Sequence, residues 1–212
     1  MKKLKVKTYY QPKNSSDCGP TSVLMILKYF GIHAELKNLT KNMLRDGVID
    51  GTYIYENGSL LLLQNLKVTL ITANPILFER ESWTSMKNDQ DFKKHLQNFK
   101  KRKPAKKGAI KLLEEFVEKG GVVKVELPII NHIKNAIDHG KIVMASIYGR
   151  ALGSKEGGFH YVVVSGHKEG QIYINNPLPG SKTGWFKNED FVHALLASSC
   201  FDVDNGALLI VG

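Results

Sequence analysis

SSDCGPTSVLMILKYFG, Ser15 to Gly31, decides how the chain is read. Val23, Leu24, Ile26, Leu27 and Phe30 are apolar nearly all round a helical wheel, so the spacing predicts a buried helix over Gly19–Phe30. Asp17 suits the cap position, Pro20 the first turn, and Gly31 the residue just past the end. Cys18 falls at the helix start, where backbone N–H groups point outward and the dipole favours negative charge. A free cysteine is often a small buried hydrophobe. A thiol at a helix N-terminus also sits where the nucleophilic thiolate is stabilised and its pKa lowered. Gly19 beside it leaves room for a substrate carbonyl.

Working outward, Gln11 lies seven residues before Cys18. Its side-chain amide suits an oxyanion hole shared with the Cys18 backbone N–H, although a glutamine in a loop is common. His160 opens the apolar run FHYVVV, and taken alone it reads as a satisfied core histidine. Asn176 ends the next β-rich run, QIYINNP. A hairpin places the start of one strand beside the end of the next, so His160 and Asn176 meet on neighbours. Asn176 then accepts a hydrogen bond from one imidazole nitrogen and leaves the other for the thiol, a nucleophile–base–orienter arrangement. Asn175 and Asn176 cannot share this role, because adjacent strand residues point to opposite faces.

The remaining elements read as follows. A second helix is predicted over Leu36–Leu44, then a turn-rich connection bracketed by Gly51 and Gly58. Leu60–Leu66 reads as helix and Lys67–Ile71 as strand. Phe78–Lys100 has helical composition. Ala109–Lys119 is an amphipathic helix ended by Gly120 and Gly121, Val122–Glu126 alternates as a strand, and Ile130–Ile137 is a helix closed by Gly140. Lys141–Tyr148 is a strand, the two β-rich runs are joined by a turn at His167–Gly170, Phe186–Leu196 includes a short helix, and Ala207–Val211 is a final strand. Helices come first and an antiparallel sheet follows, an α+β pattern.

Composition bounds the function classes. The chain has 212 residues and 42% hydrophobic residues, enough for one domain spanning 1–212. No apolar run reaches the length of a membrane span: SLLLLQNLKVTLIT is interrupted by Gln64, Asn65 and Lys67. The basic start, MKKLKVKTYYQPK, is followed by no apolar signal region. The two cysteines, Cys18 and Cys200, suggest no disulfide framework or zinc site. A soluble, cytoplasmic protein is expected. The net charge is +10, but residues 93–107 hold eight Lys or Arg and no acid, and MKKLKVK holds four more, leaving about −2 elsewhere. The 93–107 run belongs to a basic insert near 78–120 that suits an acidic partner or a solvated face. No nucleic-acid motif accompanies it. His132 and His139 flank one helix at a spacing of seven, without the carboxylate or cysteine companions of a metal site. No metal and no cofactor is expected, and Cys200 reads as structural.

The stretch Gln11–Gly31, QPKNSSDCGPTSVLMILKYFG, resembles the cysteine motif of the C39 peptidase family and its C39-like relatives, which are papain-fold cysteine peptidases. GKIVMASIYG (140–149) and GGFHYVVVSGHKEGQIYINNP (157–177) resemble the family's strand, histidine strand and following strand, and WFKNEDFVHAL (185–195) the short helix after them. The resemblance implies a papain-like fold, an N-terminal helical part with the nucleophile at a helix N-terminus and a C-terminal antiparallel sheet. It implies Cys18 as nucleophile, His160 as general base, Asn176 as orienter and Gln11 as oxyanion donor. Asn176 stands where the family usually has aspartate, and the neutral asparagine gives less electrostatic support to an imidazolium than a carboxylate would. Residues 50–128 carry no motif of the family, and the double-glycine leader specificity of its exporter-fused members is not carried over.

The function expected is therefore hydrolysis of a peptide or amide bond in a peptide or protein substrate. Two alternatives use the same residues differently. One is acyl transfer from an acidic carrier protein or to an amine. The other is a catalytically inactive peptide-binding module.

Overall fold

The structure is a computed structural model that describes residues 1–41, 51–72, 89–102, 107–154, 158–198 and 206–212. The helices are α1 (Cys18–Tyr29), α2 (Leu36–Lys41), α3 (Ile54–Leu62), α4 (Asp89–Arg102), α5 (Lys107–Glu118), α6 (Ile130–Asp138) and α7 (Asn188–Ser198). The strands are β1 (Lys2–Lys3), β2 (Val68–Thr72), β3 (Val122–Val125), β4 (Ile142–Tyr148), β5 (Phe159–Lys168), β6 (Gln171–Asn175), β7 (Gly184–Lys187) and β8 (Ala207–Val211). The predicted helix past Lys41, the stretch 78–88, Lys103 and Cys200 lie outside the described residues.

One sheet runs β3-β2-β8-β4-β5-β6-β7, with β1 added along β5. The β2·β3 pair is parallel, with Thr69 beside Val122; the other pairs are antiparallel. This is the helix-plus-antiparallel-sheet class expected. The last strand, β8, does not lie at the edge. It inserts between β2 and β4, joining the early part of the sheet to the late part.

The central strands are apolar on both faces because helices cover both. On one face Val23, Ile26, Ile54, Leu61 and Phe116 pack against Met144, Val163 and Leu209. On the other, Ile133, Ile137, Phe191 and Leu195 pack against Val143, Ala145, Val162 and Leu208. Continuous runs such as YVVV and ALLIV follow from this, since alternate residues feed different cores. Each fully buried Leu or Ile contributes on the order of 1.5–3 kcal/mol of transfer free energy.

Three local expectations are corrected. Gly58 does not mark a turn. It lies inside α3, which spans Ile54–Leu62 and starts earlier than the predicted Leu60. A Cβ there would come 2.6 Å from Phe116 Cε2, so the glycine serves close packing of α3 on α5. His167 does not lie in the turn: β5 runs to Lys168, past an irregularity in register between Val164 and Gly166. Trp185 and Phe186 form β7 before the helix begins at Asn188.

Candidate active site

The N-terminus of α1 is set against the sheet by its burial. Every residue from Gly19 to Leu27 is buried, which matches a helix apolar all round. Asp17 occupies the cap position without a side-chain capping bond. Gly31 ends the helix with φ +74°, a conformation favouring glycine, and Ile32 N–H donates to Leu27 O at 2.9 Å. Cys18 is thus the first helical residue, partly buried against the larger core.

Gly19 has a definite reason to be glycine. A Cβ at this position would stand 2.2 Å from Thr52 Oγ1 and 2.8 Å from both terminal atoms of the Asn57 amide. Asn57 is fully buried on α3 and donates to Thr52 Oγ1 at 3.0 Å and to Tyr53 O at 2.9 Å. Tyr161 O–H donates to Thr52 O at 2.8 Å. Residues 52–57 therefore buttress the start of α1 from one side while tying it to β5. Sequence reasoning missed this contact set, because Tyr161 and Thr52 are 109 residues apart and leave no local pattern.

The second half of the site is built by β5 and the loop after β6. His160 Nε2 and Asn176 Oδ1 are 2.8 Å apart, and both residues are buried. With the carbonyl oxygen as acceptor, Nε2 carries the proton, and Nδ1 is left for another partner. Asn176 is itself held on three sides. Its Oδ1 also accepts from Leu178 N–H at 3.0 Å, and its backbone N–H donates to Thr183 Oγ1 at 3.0 Å. Pro177 O accepts from Gln11 N–H at 2.9 Å, which draws Gln11 to the residue after Asn176. The Gln11 side chain is buried and donates to Ser15 O, three residues before Cys18. Its Oε1 is buried without a hydrogen-bond partner.

Asn175 takes a different part, as the strand alternation requires. It accepts from Ser165 Oγ and donates to Val6 O at 3.2 Å and Thr8 Oγ1 at 2.9 Å, fastening the N-terminal segment to β6.

The electrostatics differ from the expectation for a helix-start thiol. Burial pushes the Cys18 thiol up to about 11, against backbone hydrogen bonding from Tyr161, Gly19 and Cys18 itself that favours the thiolate. The nearby Asp17 carboxylate adds to the rise. Desolvation wins because the thiolate would lose more water than the helix terminus replaces. Burial also lowers the His160 pKa, partly offset by the hydrogen bond to Asn176. Burial thus favours the neutral form of both the thiol and the imidazole. The backbone contact to Tyr161, the residue after His160, places the Cys18 sulfur at this point of β5.

A cavity of about 350 Å³ opens beside Asn176, lined by Gly149, Gly153, Gly180, Ser181 and Lys182 among others. Among the described residues no cluster of His, Cys, Asp or Glu suits a metal ion, and no helix is long and apolar enough to cross a membrane. His132 lies on α6 and His139 caps its C-terminal end.

A profile of the Peptidase_C39 like family matches residues 3–198. The chain belongs to that family. Solved C39 relatives share the papain-like fold over nearly their whole length. A putative C39-like peptidase from Bacillus anthracis is 14% identical, with TM-score 0.58, covering 100% of this chain and 98% of that one. The peptidase domain of Streptococcus ComA, a bifunctional ABC transporter of a quorum-sensing pathway, is 13% identical, with TM-score 0.51 and 98% of each chain covered. A double-glycine-motif protease from an AMS/PCAT transporter, solved with its leader peptide, is 16% identical, with TM-score 0.50, covering 99% of this C39-like chain and 93% of that one. Comparison with curated proteins gives no match.

Proposed function

We propose that this C39-like chain is a cytoplasmic cysteine peptidase-like hydrolase that cleaves a peptide or amide bond, with Cys18 as nucleophile, His160 as base, Asn176 as orienter and Gln11 as oxyanion donor. The observation that carries the reading is the His160 Nε2–Asn176 Oδ1 bond at 2.8 Å, which supports an oriented ring whose Nδ1 is left for a second partner. The relative solved with a leader peptide supports a peptide as the substrate class.

In this reading the resting pair is neutral, so proton transfer accompanies attack. His160 Nδ1 takes the Cys18 proton as sulfur bonds to the carbonyl carbon. The oxyanion is met by the Cys18 N–H and by the second N–H of Gln11 Nε2, whose first N–H is held by Ser15 O. His160 returns its proton to the leaving amine as the C–N bond breaks, giving a thioester. Water, losing a proton to His160, then releases the acid and restores the thiol. Asn176 stays neutral throughout and steadies the imidazolium through its carbonyl oxygen alone.

An inactive peptide-binding module is the second reading, favoured by the thiol held at about 11. Cys18→Ala separates the two. Hydrolysis requires loss of turnover against a peptide library with folding retained; peptide binding that survives the substitution, with no turnover in either protein, favours the module.

A further inference from the structure

The face of the sheet under α6 carries a second cavity, at the end of β4 remote from His160. The sheet is wider than its cover here. α6 packs Ile133, Ala136 and Ile137 onto Ile71, Val143 and Ala145, and the strip between this helix and edge strand β3 is left open. The opening has a volume of about 330 Å³. Its floor is Thr69, Ile71 and Ile210. Its walls carry Lys124 from β3, Lys141 ahead of β4, His132 from α6 and His139 just past its end.

His132 lies on α6 and His139 is the residue that caps its C-terminal end, and both line the opening. His132 Nδ1 accepts from Ile129 N–H at 3.2 Å, so its ring proton is on Nε2, a donor 3.6 Å from Glu126 Oε1. His139 Nδ1 donates to Asn135 O at 2.8 Å. Two lysines thus line a partly apolar hollow, while the His132 Nε2–H is turned toward the Glu126 carboxylate. Asp138, next to His139, is engaged with His167 at 2.7 Å and does not line the opening. A bare metal ion suits this set poorly, because two of the four side chains are cations. An anion suits it well.

We propose that this cleft binds a small organic anion, a phosphate or carboxylate head on a short apolar body. The head lies between Lys124 and Lys141, and the body lies on Ile71, Ala136 and Ile210. The cleft does not depend on Cys18 being a nucleophile.

The test is NMR titration of the full chain, following the ring signals of His132 and His139, with inorganic phosphate, butyl phosphate, butyrate and butanol as probes. Saturable shifts with butyl phosphate or butyrate are expected. Binding should weaken about tenfold or more in Lys124→Gln/Lys141→Gln, as loss of two facing charges implies. The same titration in Lys93→Gln/Lys94→Gln/Lys101→Gln should be unchanged, which separates the cleft from the basic α4 surface. Butyl phosphate binding against butyrate binding tells which head group is taken. Absence of saturable shifts with either anion overturns the proposal, as does equal binding in the Lys124/Lys141 variant. Inorganic phosphate matching butyl phosphate removes the apolar body, and butanol matching both removes the anion.

Discussion

His160 and Asn176 are joined by a hydrogen bond of 2.8 Å across the β5–β6 hairpin, with the asparagine oxygen shared by the Leu178 backbone N–H at 3.0 Å. Two donors on one oxygen fix the amide plane, and the amide plane fixes the ring. Asn176→Ala leaves a buried Nε2–H and a loop N–H without their acceptor, a cost of about 1–3 kcal/mol for each such group. Turnover should fall by about tenfold or more beyond any effect of unfolding, since the ring loses its orientation. Thermal melts and kcat measured together separate the two losses.

Asn176→Asp changes the electrostatics and keeps the shape. A carboxylate beside the ring favours the imidazolium and raises the His160 pKa. The acid limb of the activity profile should move to higher pH in this variant. NMR titration of the His160 ring checks the shift directly.

The two perturbed groups set opposite edges of a pH window. The His160 pKa is lowered by burial, so the unfolded chain binds more protons at this residue as pH falls through the ordinary histidine value of about 6.5. Stability from this group is present above that value and declines below it. The Cys18 thiol is raised to about 11, so the folded chain holds a proton that the unfolded chain releases from the ordinary value of 9.0 upward. Stability from Cys18 is present below 9.0 and lost as pH rises to about 11. Denaturant midpoints across this range should flatten on the alkaline side in Cys18→Ala and on the acid side in His160→Ala.

Gly19→Ala should destabilise the protein by about 1–3 kcal/mol, the usual cost of overpacking. Its new methyl would meet Thr52 Oγ1 at 2.2 Å. Thr52→Ala in the same chain should recover part of the loss, giving a coupling in a double-mutant cycle. Additive losses would show that Thr52 is not the clashing group.

Gly58→Ala tests a sign. In an exposed helix interior this change gains about 0.5–1 kcal/mol. Here the methyl lands 2.6 Å from the fully buried Phe116 ring, so the net effect should be destabilising. Guanidinium melts of the variant decide it.

What was legible in the sequence was what local pattern encodes. The all-round apolar run of α1, the glycine after it and the strand–turn–strand of β5 and β6 placed Cys18, His160 and Asn176. Alternation along β6 also told Asn176 from Asn175. What failed had non-local causes. Gly58 read as a turn because nothing near it in sequence shows that Phe116 occupies its missing side-chain space. The thiol was expected to be acidified by the helix terminus, but its pKa is decided by how deeply α1 packs on β5. The Thr52–Asn57–Tyr161 buttress joins residues too far apart to form a motif, and β7 was hidden by the apolar residues leading into α7.

The measurement that tests the central claim most directly is the rate of Cys18 alkylation against pH, read by mass spectrometry in the parent chain and in His160→Ala, with Cys200 as the internal comparison. If His160 is the base for Cys18, the parent rate near neutral pH exceeds that of the variant and falls as His160 protonates below about 6.5. Identical profiles in the two proteins, each climbing only toward the thiol's own value near 11, would contradict the pairing.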